Sequence, residues 1–283
     1  MIAVTGATGH LGRLVIAAML KRVPASSIVA VVRNLEKAKD IAALGVHVRR
    51  ADYNEPSAWD HALKGVDKAL LISSSEVGQR AKQHRVVIDA AKQAGVKLMV
   101  YTSILRADTS LLGLAAEHKE TEALIRASGI PFTLLRNSWY TENYTAGIPN
   151  ALAHGAVYGC AGEGRIASAA RVDYAEAAAV VLTTENQAGR VYELAGDTAF
   201  TLAELATEIS RQSGKNIGYV NLTEAEYRNV LVKAGLPEVV AALYADSDTG
   251  ISKGALFDDG HQLSKLINRP TTSLAMAVAA AMK

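Results

Sequence analysis

The chain has 283 residues, of which 49 % are hydrophobic and 5 % aromatic, enough apolar content to bury a sizeable core and too much for a disordered segment. Its 30 basic and 28 acidic residues leave a formal charge of +2 with no basic block, so nothing in the charge pattern points to nucleic acid or a membrane surface as a partner. The single cysteine, Cys160, excludes an intramolecular disulfide, and its neighbours Gly159, Ala161 and Gly162 supply no base to activate it.

A strand-like segment at 2–5 stands at the very start, where the charged and apolar regions of a signal peptide would be. No apolar run reaches the roughly 18 residues of a membrane span. A soluble, cytoplasmic protein is expected.

Further along, short β-branched runs at 28–32, 47–50, 69–73, 98–103 and 132–136 read as strands. Amphipathic segments at 11–21, 35–44, 56–63, 79–94 and 115–128 read as the helices between them. Pro24, Gly45, Gly65, Gly95 and the pair Gly129 and Pro131 punctuate the helix ends. Such alternation is the mark of βαβ units and a parallel sheet. After Asn137 the rhythm breaks. Strands are expected at 191–195 and 217–222, and helices at 202–213, 224–234 and 262–282. The alanine runs "EAAAVV" and "AMAVAAAM" read as close-packed helix faces. The expected division is a dinucleotide-binding domain at 1–137 and a smaller substrate-side lobe at 138–283, with some return of the chain to the main sheet.

The stretch "TGATGHLG" at 5–12 places Gly6, Gly9 and Gly12 between the first strand and the first helix. A strand that turns sharply into a helix while a phosphate approaches its backbone has no room for β-carbons there. The amides of the helix start and its dipole then hold the phosphate charge. This context predicts an α/β fold with a Rossmann-like, doubly wound parallel sheet and a smaller C-terminal α/β lobe. At the end of the second strand, where a carboxylate would bind the ribose of NAD, the sequence has Arg33. A guanidinium forks onto a 2′-phosphate, which makes NADP(H) the expected cofactor. Asp52 is placed either to accept from an adenine amino group or simply to sit in a loop.

The spacing T-G-A-T-G-x-L-G resembles the atypical short-chain dehydrogenase/reductase group. "LLISSSEVGQRAKQHRVVIDAAKQAGVKLMVYTS" at 70–103 and "GIPFTLLRNSWYTENY" at 129–144 narrow the resemblance to the NmrA-like family, over essentially the whole chain. Within that family the quinone- and triphenylmethane-reducing members are nearer than the regulators. The resemblance implies that Gly6, Ala7, Thr8, Gly9, His10 and Leu11 wrap the pyrophosphate and that Arg33 meets the 2′-phosphate. It implies that Ser73, Ser74 and Ser75 run beneath the nicotinamide ribose, and that Asn137, Ser138, Trp139 and Tyr140 close over the nicotinamide.

Ketone-reducing relatives carry a tyrosine and, four residues later, a lysine for proton delivery. In this sequence those places hold Leu114 and His118. Two functions fit the loss. One is hydride transfer to an acceptor that needs little acid: a quinone, whose reduced anion is far less basic than an alkoxide, or a cationic dye. The other is a non-catalytic NADP(H) sensor. The expected activity is two-electron reduction of a quinone by NADPH, with the quinone as small-molecule partner and homodimerisation left open. His118 is the one candidate acid, or a hydrogen-bonding group of its helix. Trp139, Tyr140 and Tyr144 supply flat surfaces for a flat acceptor, or a satellite core. Asn143 can orient a quinone oxygen or form a turn, and Ser168 can reach the substrate from the loop after Gly162 and Gly164. His47, His61, His84, His154 and His261 lack metal-ligand spacing, so no metal is expected.

Overall fold

Fully apolar runs become strands where helices can cover both faces, and the segment IVAVV at 28–32 is buried at each of its five positions. The computed structural model describes residues 1–283. Its strands are β1 (Ile2–Val4), β2 (Ile28–Val32), β3 (His47–Arg50), β4 (Lys68–Leu71), β5 (Leu98–Ile104), β6 (Phe132–Asn137), β7 (Ala156–Gly159), β8 (Arg190–Leu194) and β9 (Gly218–Asn221). The helices of the first half are α1 (His10–Met19), α2 (Lys39–Ala43), α3 (Pro56–Ala62), α4 (Arg80–Gln93), α5 (Ala115–Ser128), α6 (Thr141–Thr145) and α7 (Ile148–His154). Those of the second half are α8 (Arg171–Thr183), α9 (Leu202–Ser213), α10 (Glu224–Lys233), α11 (Glu238–Ile251), α12 (Gln262–Ile267) and α13 (Leu274–Ala281).

The chain forms two compact units. The first comprises Met1–Asp108, Ala116–Asn137 and Arg171–Leu194. It is built on a seven-stranded sheet of order β3-β2-β1-β4-β5-β6-β8, parallel throughout. This is a Rossmann-like, doubly wound arrangement whose strand order reverses between β1 and β4. On one face Trp59, Ala62, Val87, Ile88 and Ile125 from α3, α4 and α5 pack on Leu71, Met99 and Tyr101. Elsewhere in the unit α8 packs on β4, β5 and α1. The alanine run of α8 buries Ala175, Ala177, Ala178 and Ala179, whose small side chains let two helix backbones come close.

The second unit comprises Thr109–Ala115, Ser138–Ala170 and Ala195–Lys283. It contains the parallel pair β7-β9, with α9 packed on both strands and on α13. Thr201 and Glu204 close a capping box at the start of α9, satisfying two otherwise orphaned amides.

The structure corrects the sequence-based expectations in several places. The strand expected at 191–195 is β8, the seventh strand of the first unit, where the chain comes back to the main sheet through the α8 crossover. The single helix expected over 262–282 is two, because Asn268 turns left-handed at φ +56° and Pro270 follows with no amide to continue a helix. The helix α11 and the strand β7 were not anticipated. The β7 segment AVYG is only four residues long, too short to show a period. No helix is long and apolar enough to cross a membrane.

Inside the second unit Asp248 of α11 is 5 % exposed and accepts a hydrogen bond from the Cys160 amide at 2.9 Å. Burial pushes its carboxyl up to about 6, against the pull of that amide. The same surroundings push the Cys160 thiol up to about 11, which leaves it an inert thiol at neutral pH. A carboxyl whose folded pKa lies above its unfolded value stabilises the fold below about pH 4, and that contribution is lost as pH rises through 6. Asp248→Asn keeps an acceptor for the Cys160 amide without the charge. The variant is expected to gain roughly 2 kcal/mol over the parent at pH 8 and nothing at pH 3.5. Denaturant titrations at the two pH values measure this, and an equal or lower stability at pH 8 would contradict the assignment.

Candidate functional site

At the carboxyl ends of the strands of the first unit, where strand order reverses, β1 and β4 separate and their ladder ends. Thr5, fully buried, finishes it by donating its amide to the Leu70 carbonyl at 3.0 Å and accepting the Ile72 amide on its hydroxyl at 3.0 Å. On β5 Thr102 does the same for Ser73, whose amide reaches its hydroxyl at 2.8 Å. Two threonine side chains thus replace missing strand partners and leave a crevice mouth of defined shape.

The turn from β1 to α1 carries the first group of expected residues. Gly6 sits at φ +58°, a left-handed conformation that side chains disfavour, and its carbonyl accepts the Gly9 amide at 2.9 Å. A β-carbon on Gly12 would stand 2.7 Å from the Ala7 Cα, so α1 begins in direct contact with the turn that precedes it. Gly6, Gly9 and His10 are exposed while Ala7, Leu11 and Gly12 are buried, with Thr8 between. Gly9 caps the helix with no side chain, which leaves the first-turn amides of α1 to an outside acceptor. Arg13 secures the turn, its Nε donating to the Thr8 carbonyl at 3.2 Å.

Arg33 follows β2 and is exposed. Its guanidinium lies 3.2 Å from Glu76 in the turn after β4, and Glu76 in turn accepts from the Gln83 amide at 2.6 Å. An ion pair this open to solvent is worth at most about 1 kcal/mol and is readily exchanged for a phosphate. Asp52 spends its carboxylate on the Asn54 amide at 2.9 Å, a local turn.

Ser73, Ser74 and Ser75 lie beyond β4, which ends at Leu71, two residues earlier than expected. Asn137 is the last residue of β6, beside a buried pair in which Arg136 grips Glu122 through two bonds of 2.9 and 2.8 Å. Glu122 also accepts from Ser103 at 2.6 Å, and Arg136 reaches Glu193 of β8 at 2.8 Å. Burial alone would lower the Arg136 pKa, but these carboxylates overcome it and hold the guanidinium firmly charged. The side-chain oxygens of Ser74 and Asn137 are buried without any hydrogen-bond partner. Each such atom costs about 1–3 kcal/mol unless a further group satisfies it. A turn with glycines at 6 and 9, a replaceable guanidinium partner and two unsatisfied oxygens, one at the end of β6 and one in the turn after β4, together fit a phosphorylated dinucleotide.

His118 on α5 is not placed as an acid. It is 4 % exposed, and its Nδ1 lies 2.7 Å from the Tyr101 hydroxyl of β5, outside its own helix. Burial, with Arg80 nearby, holds its pKa well below the usual histidine range. An imidazole that stays neutral at pH 7 has no imidazolium proton to deliver. His84 of α4, passed over in the sequence for want of metal spacing, is fully buried and likewise pushed down, to about 3, first by burial and then by Arg80.

The remaining expected residues lie in the second unit. Residues 139–141 run beside 168–169: the Thr141 amide donates to the Ala169 carbonyl at 3.0 Å, and the Thr141 and Ser168 hydroxyls meet at 2.9 Å. Ser168 is thereby brought to Trp139 and Tyr140. The Ser138 hydroxyl oxygen is buried without a hydrogen-bond partner. Tyr144 packs edge-on against Phe200, ring centroids 5.8 Å apart. Asn143 lies in α6 rather than a turn. Gly164 packs against the end of α11, where a β-carbon would stand 2.7 Å from the Ile251 carbonyl carbon, which makes its loop a close-packed turn.

Both buried histidines take up protons only when the chain unfolds. Stability therefore falls as pH drops below about 6.5, with the His84 contribution continuing toward pH 3. His118→Gln is expected to make that fall shallower as pH drops below about 6.5. Denaturant midpoints at pH 7.5, 6 and 5 test this, and an unchanged slope would mean that His118 titrates in the folded protein.

The family model of the NmrA-like family matches residues 1–249. The chain is 60 % identical over 278 residues to quinone oxidoreductase 2 of Escherichia coli (strain K12), covering 98 % of this chain and 97 % of that protein. The crystal structure of the Escherichia coli NADPH-dependent quinone oxidoreductase QOR2 complexed with NADPH superposes with a TM-score of 0.98 at 59 % identity, over 100 % of both chains. That of Citrobacter sp. triphenylmethane reductase complexed with NADP(H) gives a TM-score of 0.96 at 42 % identity, over 99 % of this chain and 100 % of that one.

Proposed function

The chain belongs to the NmrA-like family, and from that premise we infer that it is an NADPH-dependent quinone oxidoreductase. The observation that carries this reading is the likeness, along the whole chain, to a quinone oxidoreductase whose structure holds NADPH. The cradle at the first crossover meets the same requirement in physical terms. When bound, NADPH supplies the hydride.

The chain's own residues supply binding and orientation. The backbone of Gly6, Ala7, Thr8, Gly9, His10 and Leu11 is assigned to the pyrophosphate. Arg33 is assigned to the 2′-phosphate in exchange for Glu76. Ser73, Ser74, Ser75 and Asn137 are assigned to the nicotinamide end, a reading supported by the unsatisfied oxygens of Ser74 and Asn137. In the second unit Ser138, Trp139 and Tyr140 are assigned to the nicotinamide, and Tyr140, Asn143, Tyr144 and Ser168 to the quinone. No side-chain acid is invoked. A reduced quinone oxyanion is a weak base that water can protonate, and a buried His118 with a lowered pKa supports a route that does not draw on it. Proximity of a flat acceptor to the nicotinamide then carries the rate.

Loss of NADPH absorbance with a benzoquinone, against a control without enzyme, tests the activity, with a triphenylmethane dye as the second acceptor. Turnover of the quinone is expected. Turnover of the dye alone would transfer the reading to dye reduction, and turnover of neither would leave a coenzyme sensor. Arg33→Asp is expected to lower the preference for NADPH over NADH by about ten- to a hundredfold, the worth of a charge-assisted contact. An unchanged KM for NADPH would refute the role of Arg33.

A further inference from the structure

The turn after β4, residues 73–79, is neither helix nor strand, yet side chains of α4 and α5 hold its backbone. The Ser74 amide donates to Nε2 of His84 at 3.0 Å. Nδ1 of His84 lies 3.0 Å from the Thr121 hydroxyl oxygen. Thr121 donates its only hydroxyl proton to the Glu117 carbonyl at 2.9 Å. The proton count then has a single solution. With its hydrogen committed, the threonine oxygen can only accept from His84, so Nδ1 carries the proton and Nε2 presents its lone pair to Ser74.

The carbonyl of the same serine is held from the other side, by Nε of Arg80 at 2.9 Å. Arg80 is itself fixed by Glu117, whose carboxylate lies 3.3 Å from its guanidinium and also accepts the Gly78 amide at 2.9 Å. Both backbone groups of Ser74 are therefore fixed, and its hydroxyl oxygen is the atom left buried without a partner. Amides and carbonyls in a turn are ordinarily left to water. Here His84, fully buried, has been spent on one of them.

We propose that His84 is a positioning residue for the coenzyme, holding Ser74 and the turn around it in the one register that presents residues 73–75 to the nicotinamide ribose. The proposal rests on the reading of this turn as a coenzyme contact. An imidazole suits the task because in its neutral form it carries a donor and an acceptor on a rigid ring, whereas an imidazolium has two donors and would turn the Ser74 amide away. Burial keeps the ring neutral throughout the physiological pH range. His84 acts through Ser74 alone and touches no reacting atom.

The test uses the full chain: NADPH titration, steady-state KM and kcat with a benzoquinone, and exchange of the Ser74 amide by NMR without coenzyme. His84→Ala is expected to raise the Kd and KM for NADPH about tenfold, the worth of one buried hydrogen bond, with kcat within about twofold of the parent and faster Ser74 exchange. Thr121→Val, which leaves the imidazole but removes its Nδ1 partner, shifts affinity in the same direction by about threefold. It carries the test if His84→Ala fails to fold. His84→Gln, which retains an acceptor for the amide, restores most of the affinity. Unchanged NADPH affinity in both His84→Ala and Thr121→Val overturns the proposal and leaves the coenzyme reading intact, as does a loss confined to kcat. Failure of the parent protein to bind NADPH removes the coenzyme reading and this proposal with it.

Discussion

Where β1 turns into α1, strand end and helix start meet at a separation that admits no side chain. A β-carbon on Gly12 would stand 2.7 Å from the Ala7 Cα and 3.0 Å from its carbonyl carbon. That approach aims the amino end of α1 back over the strand it has just left, and the turn itself depends on the left-handed Gly6. The pose of α1 then sets what can pack beside it, and α8, with its run of buried alanines, packs against it. A bulkier contact would push the two helices apart and open the crossover.

Polar groups in the first unit are buried in two different ways. Around Asn137 charge is buried with charge: Arg136 and Glu122 form a two-bond pair, and Ser103 and Glu193 take further positions on the two charged groups. Breaking such a pair from one side strands the other charge in the interior, at a cost of about 3–5 kcal/mol. Around Tyr101 the chain instead buries neutral imidazoles, His84 and His118, each with a hydroxyl partner, and His84 reaches Ser74. The first arrangement binds β5, β6, β8 and α5 together at the carboxyl end of the sheet. The second shapes a turn without placing a fixed positive imidazolium beneath it.

These choices suit an enzyme whose chemistry asks little of protein acids. A quinone accepts a hydride without generating a strong base, so the catalytic demand falls on coenzyme placement and on excluding wrong geometries. In the first unit, buried interactions are accordingly concentrated where the turn after β4 and the end of β6 must stay in place. The exposed Arg33–Glu76 contact is the weak one, with both side chains open to solvent.

The first half of the chain was legible because local rules act there: period-two and 3.6-residue patterns, glycines at helix ends, and a glycine triplet whose spacing has one steric purpose. Gly6, Gly9 and Gly12 were readable for that reason, whereas the loss of the tyrosine–lysine pair at Leu114 and His118 was legible only through the family resemblance. Which strand brings the chain back to the main sheet was not, since strand order depends on which edge remains open after six strands have paired. Nor were α11 or the neutrality of His84 and His118. A histidine's charge depends on how deeply it is buried and on which hydroxyl it meets, and Thr121 stands 37 residues from His84 in the chain. Sequence alone determined the crossover, the coenzyme preference expected of it and the absence of the usual acid. The closing of the sheet, the pairing of buried polar groups and the support beneath Ser74 were decided by tertiary contacts, because they depend on distances that chain-local chemistry does not set.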